Sequence, residues 1–311
     1  MYRTYIICAL LVMGLAFLLP ARARELQPVK VADNVYAFIG DPGEPSSQNA
    51  GNTGNSGFIV GEDGVVVIDT GISYEHGRQM LAAIARLSDK PVRLVIITHA
   101  DQEFLFGNAA FEEIDAPVLA HVKSLELMRQ RCEHCLSNLN RLLGPQVMRG
   151  SRLVLPTRLV DTSTTITVAG LSLELLHFGW GSTPGDLAVF DPASGVLFAG
   201  ALVSNQRIPD LRDSDFKGWL GALDQIESIP CRVVVPAYGP IVGPVGIERT
   251  RGYLQALDLE VQRLYQSGAS LMEAVDAADL PAYRNWDMYP AVHRRNVLQR
   301  YLQLEVEELA R

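Results

Sequence analysis

Strand-forming runs interleaved with helices, twice along the chain, constrain this sequence more than any other feature. From Val29 onward "VYAFIG", "SGFIVG" and "GVVVIDTG" are separated by clusters of Gly, Pro, Ser and Asn, the residues of turns. "YEHGRQMLAAIARL" then sets apolar residues at helical spacing, and Pro91 opens an apolar strand over 92–97 that runs straight into Thr98 and His99. "PVLAH" reads as a further strand. After it, "LELMRQRCEHCLSNLNRLLG" carries leucines at 125, 127, 136, 139, 142 and 143 and predicts a helix. A second strand series begins near Arg158 and continues through "DLAVFD" and "GVLFAGALV". Then come the helix "FKGWLGALDQIESI", the strand "CRVVVPAYG" and a C-terminal part that is mostly helical over 246–309. There is no low-complexity tract and no short-period repeat. The pattern predicts an α/β protein in which two mixed sheets pack face to face with helices outside, an αββα sandwich.

With 311 residues, 48% hydrophobic and 20% charged, the chain can bury a large core. The first residues stand apart: Arg3 gives a positive start, 5–19 are almost wholly apolar, and Ala21-Arg22-Ala23 fits a small-x-small cleavage site. These features predict a signal peptide over 1–23 and a mature domain over 24–311, helical part 246–311 included, in the periplasm or outside the cell. An uncleaved anchor is the competing reading, but an apolar run this short spans a bilayer poorly. Removing Arg3 and Arg22 turns 27 basic against 35 acidic residues into 25 against 35. Nucleic acid and anionic membrane both need clustered Lys and Arg, which are absent, so neither is an expected partner.

Cys8 lies in the presumed signal, leaving Cys132, Cys135 and Cys231. A lone Cys-x-x-Cys lacks the second pair that structural zinc needs, so Cys132 and Cys135 read as a local disulfide or two free thiols.

The pieces "GFIVGEDGVVVIDTG", Thr98-His99, "GNAAF", "TPGDLAVFD", "LFAGALV" and "VVVPAYGP" resemble, in order and approximate spacing, the metallo-β-lactamase fold superfamily. Within it, "NSGFIVGEDGVVVIDTG", "GNAAF" and "RRNVLQRYLQLEVEEL" look like periplasmic zinc metallohydrolases associated with quinoprotein alcohol oxidation and sulfur oxidation. The active pattern is T-H-x-H-x-D-H-x-x-G-N, then a loop His, an Asp after "FAG" and a His in P-G-H-G. It holds two zinc ions and a bridging water acidified to hydroxide. By that resemblance His99 keeps the first ligand position, whereas Asp101, Glu103 and Phe104 replace a His, an Asp and a His. Ser182 stands at the loop His, Ala201 at the bridging Asp and Tyr238 at the last His.

Phe104, Ala201 and Tyr238 remove three donors outright, so no cofactor is expected. The alternative is one divalent ion, Mn²⁺, Mg²⁺ or Ca²⁺ before Zn²⁺, on His99, Asp101 and Glu103. The resemblance places Asp69 behind the metal loop, where it is expected to accept hydrogen bonds beneath residues 98–107 together with Thr98. Gly107, Asn108 and Gly185-Asp186 read as turn chemistry. His76, His121, His177 and His293 read as capped or half-exposed side chains. Ser182 lies in no Gly-x-Ser-x-Gly elbow, which leaves little support for a serine nucleophile. Two functions compete: a non-catalytic cleft lined by His99, Asp101, Phe104, Ser182 and Tyr238 that binds a small molecule or a periplasmic protein, and a hydrolase using one atypical metal. A third, an interaction face carrying Trp286, Tyr289, Val297, Tyr301 and Leu304, competes with plain core packing of the same residues.

Overall fold

A computed structural model describes residues 25–309, so the presumed signal peptide lies outside the described residues. The first sheet holds β1 (Val29–Ala32), β2 (Val35–Phe38), β3 (Ser56–Val60), β4 (Val65–Ile68), β5 (Val92–Ile96), β6 (Val118–His121) and β7 (Arg158–Val160), paired in sequence order. The second holds β8 (Thr164–Val168), β9 (Leu171–Leu176), β10 (Ala188–Asp191), β11 (Val196–Ser204) and β12 (Val233–Tyr238). Pairing is antiparallel from β1 to β4 and parallel from β4 to β7. Around the first sheet lie α1 (Tyr74–Leu87), α2 (Asn108–Glu112) and α3 (Val122–Val147). Around the second lie α4 (Phe216–Glu227), α5 (Val245–Gln266), α6 (Leu271–Ala277) and α7 (Arg294–Leu309).

Side-chain alternation on the strands explains the layers. In β4, Val65 and Val67 face the helices while Val66 and Ile68 face the other sheet, and all four are buried. A strand covered on both faces reads as an unbroken apolar run, as "VVVI" does. Phe198 of β11 shares the layer between sheets with Ile59, Val66 and Leu94, and Leu197 and Ala199 turn outward to the core formed by α4 to α7. Two details differ from the sequence reading. Residues 158–160 close the first sheet by pairing with β6, so the second sheet starts at Thr164. The C-terminal part is broken by a 3₁₀ turn at Pro281–Tyr283 and a π-turn at Tyr289–His293.

Tyr289, Val297, Tyr301 and Leu304 are buried in the outer core, with Trp286 packed against it. Helix starts account for two of the polar residues singled out above. Ser73 caps α1 by accepting from the His76 N–H, and His121 caps α3 by accepting from the Lys123 N–H. Burial lowers the pKa of His121 and keeps the ring neutral, and its Nε2 donates to the Asp161 carbonyl at 3.1 Å, which leaves Nδ1 to accept. Among the described residues no helix is long and apolar enough to cross a membrane.

One residue ties the two sheets together at the end where the site lies. Asn55, buried just before β3, accepts from the Gly40 N–H at 2.9 Å and donates to the carbonyls of Pro236 and Gly239 at 2.9 and 2.8 Å, while its own N–H donates to Ala237 at 2.7 Å. Asn55→Ala leaves the Gly40 N–H and the Pro236 and Gly239 carbonyls without this partner, and we expect a loss of about 2–3 kcal/mol. In urea unfolding the midpoint should fall with an unchanged slope; an unshifted midpoint would show that the sheets are held elsewhere.

Candidate active-site cleft

The site begins at two strand ends. Asp69 follows β4 in a left-handed backbone conformation, φ 56°, uncommon outside glycine but tolerated by Asp. That turn brings its carboxylate beneath Thr98, whose N–H donates to Oδ1 at 2.8 Å and whose hydroxyl donates to Oδ2 at 2.7 Å. Burial pushes the Asp69 pKa up to about 7 against these two hydrogen bonds. The Thr98 hydroxyl also lies 2.7 Å from His99 Nδ1. While Asp69 is ionised, Thr98 spends its proton on the carboxylate and can only accept from His99, which fixes the Nδ1–H tautomer. His99 Nε2 then carries the lone pair, buried and without a hydrogen-bond partner. Burial lowers the pKa of this ring and keeps it neutral.

Nε2 looks toward Asp101 Oδ2 at 3.7 Å. Asp101 is held by two guanidinium groups, Arg212 at 3.4 Å and Arg131 at 3.9 Å, and Asp213 bridges the same pair at 3.2 and 2.7 Å. Glu103, half-buried on the cleft floor, has no such contact. Desolvation first and Asp101 second push its pKa up to about 7. Phe104 is fully buried; its ring stands 4.3 Å from that of His99 and edge-on to Tyr238 at 5.3 Å. On its far side it fills the space left by Gly54, where a Cβ would come 2.6 Å from the ring. Tyr238 lies under the Arg207 guanidinium at 4.5 Å, and burial raises its phenol pKa well above the ordinary value, so it is a neutral hydroxyl.

Thus the structure brings His99, Asp101, Glu103, Phe104 and Tyr238 together; Asp101, Glu103, Ser182, Ala201 and Tyr238 line a cavity of about 250 Å³, whereas His99 and Phe104, expected to line it, are fully buried behind it. Among the described residues no group of three or more His, Cys, Asp or Glu is placed to hold a metal ion. The surrounding turns are structural. Thr183 donates to Asp186 through its N–H and hydroxyl at 2.9 and 2.6 Å, and burial pushes the Asp186 pKa up to about 7. A Cβ on Gly107 would sit 1.9 Å from the Thr70 carbonyl, and Asn108 accepts from the Thr70 hydroxyl and donates to the Val154 carbonyl. His177 turns Nδ1 to the Asp186 carbonyl and stacks on His121 at 3.9 Å.

Sequence reasoning missed the charged frame. Arg131, Arg212 and Asp213 come from α3 and from the loop "SNQRIPDLRDSDF", whose density of Arg and Asp was the available signal. It also missed Arg207, which bonds Asp287 at 2.6 Å and the Gly43 carbonyl at 2.8 Å, and Met288, Val292 and Arg295, which complete the cleft wall from the C-terminal part.

Comparison with known proteins agrees with this architecture. Residues 50–238 match the model of the metallo-beta-lactamase superfamily. A linear primary-alkylsulfatase of Pseudomonas sp. (strain ATCC 19151) is 25% identical over 264 residues, covering 71% of this chain and 49% of the relative. A type 2 metallo-beta-lactamase of Bacteroides fragilis is 28% identical over 104 residues, 32% of this chain and 42% of the relative. The chain therefore spans about half or less of the length of these curated relatives. Among solved structures, a metallo-beta-lactamase from Pontibacter korlensis superposes with a TM-score of 0.61 at 23% identity, covering 74% of this chain and 99% of the other. One from Erythrobacter litoralis gives 0.59 at 21%, covering 75% and 98%. At such identities the structural likeness speaks for the fold, an αββα sandwich with a helical C-terminal region, while the family model, matching more than half of the sequence, decides membership: the chain belongs to the metallo-beta-lactamase superfamily.

Proposed function

We propose that this protein is an exported, non-catalytic descendant of a metallo-hydrolase whose cleft binds a small molecule or a periplasmic protein without a metal ion, accessory to the quinoprotein-dependent oxidation with which the zinc metallohydrolases it resembles are associated. The observation that carries the reading is what stands at the centre of the site. A phenyl ring fills the interior between His99 and Tyr238, and two guanidinium groups neutralise Asp101. The donor set does not fit a di-zinc centre: a phenyl ring and a methyl group cannot coordinate, and fixed cations beside Asp101 oppose a second positive charge. One observation favours the competing hydrolase with a single ion on His99, Asp101 and Glu103, namely the unpartnered His99 Nε2 facing Asp101.

Elemental analysis of purified protein separates the two. We expect no stoichiometric zinc, and neither binding nor hydrolysis dependent on added zinc with β-lactam, thioester or lactone substrates. An alkyl sulfate, the substrate class in the name of the Pseudomonas relative, is a suitable first probe of the cleft, which offers Arg207, Arg212 and Arg295 beside Met288 and Val292. Restoring Asp101→His, Glu103→Asp, Phe104→His, Ser182→His, Ala201→Asp and Tyr238→His together should regain some zinc, and adding Arg212→Ser should increase it. About one ion per wild-type chain, lost in Asp101→Ala and Glu103→Ala, would replace this reading with the one-metal hydrolase.

Glu103 gives a second test through pH. Its folded pKa, about 7, lies above that of an unfolded Glu near 4.3. Its contribution to stability is therefore fully present below about pH 4 and lost as pH rises through 7. Glu103→Gln should accordingly raise the urea midpoint more at pH 8 than at pH 5. A bound cation would keep Glu103 ionised, and the substitution would then destabilise the protein at pH 8.

Export is tested by the mass of protein from the periplasmic fraction, expected to begin near Arg24. Full-length chain held in the membrane would contradict it.

A further inference from the structure

Cys132 and Cys135 lie three residues apart on α3, which sets their Cα atoms about 5 Å apart, inside the roughly 4.4–6.8 Å range that a disulfide spans. Both are free thiols, and each perturbs the titration of the other. Their surroundings differ. Cys132 is fully buried on the apolar face of α3 with Met128 and Leu139, whereas Cys135 sits half-buried at the edge of the same core. Beside Cys135 stand the guanidinium groups of Arg131 and Arg212, the pair that holds Asp101 and Asp213. A dithiol with one buried and one half-buried cysteine, within electrostatic reach of two fixed positive charges, is unused by the cleft.

We propose that Cys132 and Cys135 form a redox-active dithiol that exchanges with low-molecular-weight disulfides, Cys135 being the attacking sulfur and Cys132 the resolving one. This holds whatever the cleft binds. The neighbouring Cys132 thiol, with Arg131 and Arg212, brings the Cys135 thiol down to about 7, while the Cys135 partner and burial push Cys132 up. Having lost its proton to solvent, the Cys135 thiolate attacks one sulfur of RS–SR. The new S–S bond forms as the old one breaks, and RS⁻ leaves. The negative charge that held the Cys132 proton in place is now gone. Cys132 gives that proton to a departing thiolate and attacks the Cys135 sulfur, and the second RS⁻ leaves and is protonated by solvent. Two electrons pass from the dithiol to the small disulfide, giving one intrahelical disulfide and two RSH.

The sequence supplies a clean readout, because trypsin cutting after Arg131 and Arg141 releases both cysteines in the single peptide 132–141. The full chain is reduced, incubated with oxidised glutathione, quenched in acid, digested and weighed. We expect the wild-type peptide two hydrogens lighter and without adduct. Cys132→Ser should accumulate a mixed disulfide with one glutathione, and Cys135→Ser should carry little adduct on the same time scale. The alkylation rate of Cys135 against pH should have its midpoint near 7 in wild type, moving toward the ordinary thiol value of about 8.5 in Arg131→Gln. A wild-type peptide that keeps both thiols, or holds a stable glutathione on each cysteine, would overturn the proposal, and this reading needs no variant. Equal adduct formation in the two serine variants would overturn the assignment of the attacking sulfur.

Discussion

The site depends on one buried interaction, the Asp69 carboxylate beneath Thr98. It joins the end of β4 to the end of β5 through two hydrogen bonds, and through the Thr98 hydroxyl it orients His99. The Thr98 carbonyl in turn accepts from the Leu187 N–H at 2.8 Å, linking this corner to the turn held by Asp186. Each buried carboxylate here is satisfied by backbone and hydroxyl donors, so the loop frame stands on protein groups alone. A chain can therefore exchange the side chains that point into the cleft without losing the turns that present them, which is the sense in which fold and site chemistry separate in this superfamily member.

The side chains gathered at the cleft follow from the cost of leaving charge buried. A carboxylate and a guanidinium about 4 Å apart attract by about 4 kcal/mol at an effective dielectric of 20. Asp101 has two such partners and stays among charged neighbours. Glu103, with desolvation and Asp101 both against its charge and a backbone hydrogen bond, Arg212 and the Gln102 amide in its favour, is half protonated near pH 7. At Phe104 the solution is the opposite one: an apolar ring packed between His99, Tyr238 and Gly54 needs no partner at all. Each solution avoids an unpaired buried charge.

The layers were legible in the sequence because they rest on local periodicity. "VVVI" and the run over 92–97 announce strands covered on both faces, and the helix spacing of Leu125, Leu139 and Leu143 announces α3. Partnership was not legible. Residues 158–160 look like the start of the strands that follow, and only the parallel pairing with β6 assigns them to the first sheet. The same limit applies to the site. Motif positions drew attention to His99, Asp101, Glu103 and Phe104, but Arg131 and Arg212 lie 30 and 111 residues beyond Asp101 at no motif position, and nothing short of the fold sets their guanidinium groups on Asp101. Asn55 stood inside a quoted stretch, yet its importance comes from carbonyls near residue 236.

The wall over the last family position shows how far this protein's cleft is its own. The superfamily match ends at Tyr238, and Tyr238 is roofed by Arg207, whose guanidinium is fixed by Asp287 from the C-terminal part and by the carbonyl of Gly43. Asp287 also accepts from the Gly43 N–H with both oxygens at 3.0 Å, so one carboxylate ties the loop before β3, the loop after β11 and the approach to α7. Met288, held in the left-handed region at φ 65°, then turns the chain so that Val292 and Arg295 face the cleft. Residues beyond the matched segment thus form part of the surface any ligand meets. This carboxylate-tied roof shapes the cleft as much as the side chains beneath it do.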